Sequence, residues 1–346
     1  MKQYILSTLA LAAIAVGCTK SSFVDVPEAQ KTPIAFDTYT GKAPTTKATS
    51  QDETTLQAKT SSANPAFHVK AFYGSDLYMN KDVWYEGNKW EYTNTIYWPA
   101  SGNLAFYAYG NSDNLTQPSS AAESSTEFTY KVPSTTSAQD DLLVALPIAE
   151  QACTTAVVLN FHHMLSRVGF KLTTTTASTE QLPINVTIKR LLLNGAFYES
   201  GTIDIAKVTD GKPCIELAEG ATASVTSYSL FDTPAHSFVI PSPGEDAKVI
   251  FANTVEGVDG TVTSADDSDR FMMLIPGGTI TSATVEYLLP GQTSPQTVTG
   301  TLQNSITLGA GLAYEFIIHL STDVMEFSGT VTDWEDAPEV TPTPVS

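Results

Sequence analysis

The sequence predicts an all-β protein: two β-sandwich domains in tandem, placed after a signal peptide and a polar leader. Three observations carry that prediction. Short segments with apolar residues at every second position recur along the chain, turn residues separate them, and the composition favours strands. Leu104, Phe106 and Ala108 alternate with Ala105, Tyr107 and Tyr109; Phe128, Tyr130 and Val132 alternate with Glu127, Thr129 and Lys131. Val186 and Ile188, Ile203 and Ile205, and Phe316, Ile318 and Leu320 repeat the pattern. Between such segments lie Gly87-Asn88, Ser101-Gly102-Asn103, Asp210-Gly211, Pro276-Gly277-Gly278 and Pro290-Gly291, residue pairs that suit tight turns. Beyond the first twenty residues no segment sustains a helical period; residues 191–196 are too short.

The chain opens with Lys2, then runs uncharged from Gln3 through Gly17 to Cys18. One positive charge before a short apolar stretch is the pattern of a secretory signal. The stretch is too short for a membrane span, which needs about 20 apolar residues. Ala15-Val16-Gly17-Cys18 resembles the lipobox of bacterial lipoproteins, with Ala15 at a position usually held by Leu. That resemblance implies removal of residues 1–17 and acylation of the Cys18 thiol.

The formal net charge is −19, and Lys and Arg are sparse. This excludes nucleic-acid binding, which needs clustered basic residues, and suits a soluble, self-repelling surface protein. Charged residues make up 16% of the chain, against roughly 25% in typical globular domains. Thr, Ser, Tyr and Phe take their place, and they favour strands. After signal removal about 330 residues remain, the length of about two domains. Of three cysteines, Cys153 and Cys214 remain after lipidation. They are either one disulfide, in an oxidising compartment, or two buried thiols.

Residues 18–47 form a leader rich in Thr, Ser, Lys and Ala. One segment interrupts it: Ile34, Ala35, Phe36, Asp37, Thr38 and Tyr39 alternate like a strand, with Ile34 and Phe36 on one face. A first sandwich is expected over residues 48–152, ending on the strand that begins at Asp140. A second is expected over residues 153–346, opening on the apolar segment from Ala156.

Several phrases then occur in a telling order. Tyr97-Trp98-Pro99 precedes Gly102-Asn103-Leu104-Ala105-Phe106-Tyr107-Ala108-Tyr109. Asp141-Leu142-Leu143-Val144-Ala145 follows, then Leu159-Asn160-Phe161-His162-His163-Met164-Leu165-Ser166-Arg167-Val168. A strand from Phe271 to Pro276 and the ending Val331-Thr332-Asp333-Trp334 complete the set. Together these resemble the signature of the fimbrillin family of Bacteroidetes.

The resemblance implies two transthyretin-like β-sandwiches and a subunit of surface fimbriae, exported to the outer membrane as a lipoprotein. It implies that a trypsin-like protease cuts after a basic residue and removes the leader with its first strand. A C-terminal strand of the next subunit would fill the vacated groove, supporting adhesion. Here the cut falls between Lys47 and Ala48, with Lys42 and Lys59 as alternatives, and residues 34–39 are the removable strand. The candidate donor strand holds Val324, Met325, Glu326, Phe327 and Val331; residues 314–320 are a second candidate. If the last strand is needed to close its own domain, the protein is a tip rather than a stalk subunit. The partners implied are other fimbrial subunits, the outer membrane through the lipid before cleavage, and a surface glycan or protein receptor. A non-polymerising surface lipoprotein that anchors fimbriae or binds glycans is the alternative.

Catalysis and metal binding find little support. His162 and His163 are adjacent, so on a strand they point to opposite faces and do not share an ion. His163 is expected to pack and hydrogen-bond. Asp140 and Asp141 are poorly placed for paired acid–base work for the same reason. Asp266, Asp267 and Asp269 lack the alternating ligands and glycine of a calcium loop. No GxSxG or Gly-rich phosphate loop occurs, and no cofactor is expected. Trp84, Tyr85, Trp90, Tyr92, Tyr97 and Trp98 are either strand core or a sugar-binding surface.

Overall fold

In a computed structural model the residues described are 32–40, 53–110, 112–116, 123–151, 155–174, 185–207, 221–230, 236–239, 247–250, 255–256, 262–263, 271–320 and 325–333. Cys18, Lys42, Lys47, Ala48, Cys153, Cys214, Val324 and the three aspartates after Ala265 lie outside them. Among the described residues the protein is nearly all β, as its alternating apolar pattern requires. The longest helix among the described residues, α1 (Glu53–Gln57), has five residues, and no described helix is long and apolar enough to cross a membrane.

The first sheet has seven strands in the order β1-β9-β8-β5-β2-β3-β4. In chain order these are β1 (Phe36–Thr40), β2 (Phe67–Tyr73), β3 (Asp76–Glu86), β4 (Lys89–Glu91), β5 (Asn103–Gly110), β8 (Leu143–Gln151) and β9 (Val157–His163). All its pairings are antiparallel except that of β1 with β9, which is parallel. Alternating residues of these strands, including Phe67, Val69, Ala71, Leu104, Phe106, Leu159 and Phe161, form one hydrophobic core.

A three-stranded sheet joins β6 (Leu115–Thr116) and β7 (Glu127–Lys131) to β12 (Ser200–Asp204). Two five-stranded sheets complete the larger part of the molecule. One holds β10 (Ser166–Thr174) between β21 (Leu312–Leu320) on one side and β15 (Lys248–Ile250) and β18 (Phe271–Leu274) on the other, with β22 (Met325–Asp333) beyond β21. The other runs β13 (Val225–Ser229), β11 (Asn185–Phe197), β19 (Thr279–Leu288), β20 (Gln296–Thr307), with β14 (His236–Val239) also on β11. A small hairpin joins β16 (Val255–Glu256) and β17 (Val262–Thr263). The second core gathers Val168, Phe170, Leu191, Leu193, Val285, Phe316 and Ile318 with many others.

The division expected at residue 152 falls in the connection between β8 and β9, inside the first sheet. The first core runs through Phe161, and the change of core comes at Met164 and Leu165. Strand β7, from the first half, contributes Phe128 and Tyr130 to the second core and pairs with β12. The two halves therefore share a sheet. Gly195 explains a register shift in β11: a Cβ there would collide with the Thr279 carbonyl oxygen, so the close approach of β19 needs glycine.

Candidate assembly site: the leader strand and its seat

The isolated alternation in the leader does form a strand, shifted one residue later than its expected end, and it joins the first sheet as an edge. Residues Phe36, Thr38 and Thr40 stand opposite Val157, Leu159 and Phe161 of β9. Upstream, the Ile34 amide donates to the Ile96 carbonyl at 2.9 Å, and the Trp98 amide donates to the Thr32 carbonyl at 2.9 Å. The Tyr92 hydroxyl adds a bond to the Ile34 carbonyl at 2.7 Å. The leader is thus held first by the segment around Tyr97 and then by β9. Val157 links the two stretches, its amide donating to the Ala35 carbonyl at 2.8 Å.

Side-chain alternation matches the pleat. Ile34, Phe36, Thr38 and Thr40 point inward and are 2%, 5%, 9% and 6% exposed, while Ala35 and Asp37 face solvent and Tyr39 is half-buried. The Phe36 ring meets Phe67, Tyr92 and Phe106 edge-on, with centroids 6.4, 5.9 and 6.0 Å away. Such edge contacts add about 0.5–1.5 kcal/mol per pair to the burial itself. At the other end the Thr38 hydroxyl donates to the Glu53 carboxylate, 2.7 Å from Oε1 and 2.9 Å from Oε2. The sequence alternation flagged Ile34 and Phe36. Nothing in it marked Glu53, or the parallel pairing with a strand some 120 residues away.

At the far end of the chain, β22 pairs antiparallel with β21 at every position from Leu320↔Met325 to Leu312↔Asp333. Among the described residues it is an edge strand with one neighbour. Gly329 lies flat on Phe316, where a Cβ would come within 2.5 Å of the ring, and Val331 is 47% exposed. Met325, Glu326, Phe327 and Val331 thus belong to a strand seated in its own sheet. The second candidate, residues 314–320, is the interior strand β21.

The remaining candidates resolve into packing. His163 is buried, and its Nδ1 hydrogen-bonds to Oδ2 of buried Asp141 at 2.8 Å, while His162 lies on the other face of β9. Asp140 does a different job from its neighbour: it accepts from Asn114 Nδ2 at 2.6 Å, and its carbonyl accepts from the Tyr130 hydroxyl at 2.7 Å. Burial raises the Asp140 carboxyl above its ordinary value. Burial, followed by the nearby Asp140 charge, pushes the Tyr130 phenol well up. Trp90 and Trp98 are buried, packed on Phe67 and Phe106 respectively. These two rings belong to the first core and do not present their faces to a sugar. Among the described residues no group of three His, Cys, Asp or Glu side chains is placed to hold a metal ion.

One surface pair carries a pH dependence. Asp82 hydrogen-bonds His68 Nδ1 at 2.7 Å, and the His68 ring stacks on Tyr109. The hydrogen bond from His68 holds the Asp82 carboxyl below its ordinary value; partial burial opposes this and the imidazole charge assists it. A carboxyl depressed in the folded state stabilises above its unfolded value and loses that contribution as pH falls through the folded one. The difference in Tm between the wild type and Asp82→Asn is therefore expected to close as pH is lowered from neutrality to about 3.

The family now has a direct marker. A model of the fimbrillin-like family matches residues 42–334. The chain belongs to that family. The match begins after β1, so the leader strand precedes the matched span. Two solved structures resemble this fimbrillin-like chain in fold. A fimbrial protein from Bacteroides vulgatus superposes with a TM-score of 0.58 at 15% identity, covering 87% of this chain and 99% of its own. A candidate cell adhesion protein from Bacteroides ovatus gives 0.50 at 15% identity, covering 88% and 98%. No curated protein matches the sequence. As a fimbrillin-like protein the chain is a structural protein of the fimbrial kind rather than an enzyme.

Proposed function

We propose that this fimbrillin-like protein is exported as a precursor lipidated on Cys18, is cut after Lys47, and then exchanges its leader strand for a strand of a neighbouring subunit. The observation that carries this reading is the seat of β1. Residues 34–40, with β1 paired parallel to β9, bury four side chains against a core otherwise built from residues after the expected cut. Removing β1 bares the β9 edge and an apolar groove, a surface that natural sheets cover. A donated strand supplies main-chain hydrogen bonds and side chains for the vacated pockets. Under this reading the lipid is a transport handle, lost with the leader.

The donor side is less free than the acceptor side. Strand β22 is paired along its whole length within its own sheet, and this favours a second reading, a tip or anchor subunit that accepts a strand without giving one. N-terminal sequencing of the protein recovered from cell-surface filaments tests the proposal. A start at Ala48 is expected; a blocked, lipidated Cys18 in every filament-bound copy overturns leader exchange and leaves the anchor. Deleting residues 325–346 separates the roles. A stalk subunit then stops elongating filaments, whereas a tip subunit is still incorporated.

A further inference from the structure

We propose that Glu53 is the specificity-determining residue of the β1 seat, admitting strands that carry Ser or Thr two positions from their buried aromatic residue. The inference rests on the strand-exchange reading above and adds what the groove selects.

The seat has two unlike ends. Around Phe36 it is lined by Phe67, Tyr92 and Phe106, which receive an aromatic ring edge-on. Around Thr38 it presents a carboxylate. The Thr38 hydroxyl oxygen lies 2.7 Å from Oε1 and 2.9 Å from Oε2 and donates its one proton to the carboxylate, a charge-assisted arrangement stronger than a neutral bond. Glu53 is held from its own helix: Gln57 Nε2 donates to Oε1 at 2.9 Å, and Leu56, buried to 1% exposure, anchors α1 to the core. The acceptor thus belongs to the part of the chain beyond the expected cut, and the hydroxyl belongs to the leader. When the leader departs, the carboxylate stays at the end of the groove.

An incoming strand with an aliphatic residue at that position would lie beside the carboxylate without donating to it and so forgoes the charge-assisted bond that a hydroxyl supplies. A Ser or Thr restores the bond. This criterion bears on the chain's own strands. Aligning Phe327 of β22 with Phe36 puts Gly329 or Met325 at the Thr38 position, depending on strand direction. Aligning Phe316 of β21 puts Ile318 or Tyr314 there. None of these is a serine or threonine. The partner the groove favours is therefore a subunit other than a copy of this chain, with the pattern apolar–x–aromatic–x–Ser/Thr in its donated strand.

The test uses full-length protein cut with trypsin and a labelled peptide of residues 31–41. Competing peptides carry Thr38→Ser or Thr38→Val, or span residues 324–334. The Ser peptide is expected to compete like the parent, and the Val peptide and residues 324–334 about tenfold to a hundredfold more weakly. On cut Glu53→Ala protein the difference between the Thr and Val peptides should vanish. Equal binding of the Thr and Val peptides to wild type, or an undiminished difference on Glu53→Ala, overturns the selector and leaves strand exchange standing. Failure of the parent peptide itself to bind overturns the exchange reading and the selector with it.

Discussion

Replacing Phe36 by alanine is expected to destabilise the full-length precursor by about 3–5 kcal/mol, the usual loss for a buried phenylalanine whose site does not collapse. The ring is 5% exposed and touches Phe67, Tyr92 and Phe106 at once. Phe67 and Phe106 are themselves fully buried on β2 and β5, central strands with a neighbour on each side, and so have little freedom to close the gap. In a domain of this size the loss lowers Tm by on the order of 10 °C. Asp37→Ala, one residue away but on the solvent face, should change stability by no more than about 0.5 kcal/mol. Calorimetry before and after trypsin cleavage checks the origin of the effect. Once the leader has been cut and washed away, wild type and Phe36→Ala are the same molecule and must melt alike. A full-length Phe36→Ala protein that melts with wild type would mean that the leader strand adds nothing to the core it lies in.

The strand was legible because Ile34 and Phe36 alternate with other residues in a stretch of Thr, Ser and Lys that has no other reason to alternate. Its register was not. Parallel pairing of β1 with β9 depends on a contact some 120 residues away, and no local pattern encodes it. Glu53 was illegible for a related reason: it sits in a one-turn helix that propensity alone does not sustain, and only the packed Leu56 fixes where its carboxylate lies. The aromatic cluster was ambiguous because strand periodicity says that residues share a face without saying which face is covered. Trp90 and Trp98 prove to be covered. The break between the halves has no local marker, because turn chemistry occurs all along the chain, while β9 pairs within the first sheet and β7 pairs with β12. The family motifs escape this problem. Leu104 to Tyr109 in β5 and Leu159 to His163 in β9 are strand cores, and the order of the motifs follows the chain however the sheets are arranged.

The pairing of His163 with Asp141 carries the second large effect. His163→Leu keeps roughly the volume of the ring but deprives the buried Asp141 carboxylate of its imidazole partner, 2.8 Å away. Removing one partner of a buried hydrogen bond costs about 1–3 kcal/mol, and more where the group left behind is charged. The position makes this loss more than local. Phe161 belongs to the first core, and Met164 and Leu165 belong to the second; the Met164 amide donates to the Leu142 carbonyl at 2.9 Å, next to Asp141. The pair therefore clamps the point where the chain leaves one core for the other. His163→Leu is expected to lower the main transition and to split it into two, as the halves lose their shared clamp and unfold separately. Adding Asp141→Leu to His163→Leu removes the carboxylate as well and should restore most of the stability, since replacing both partners of a buried hydrogen bond by apolar groups of similar shape is often close to neutral. Differential scanning calorimetry of the three proteins decides it. A single transition in His163→Leu, shifted by less than about 1 kcal/mol, would show that the pair neither stabilises nor couples the two cores.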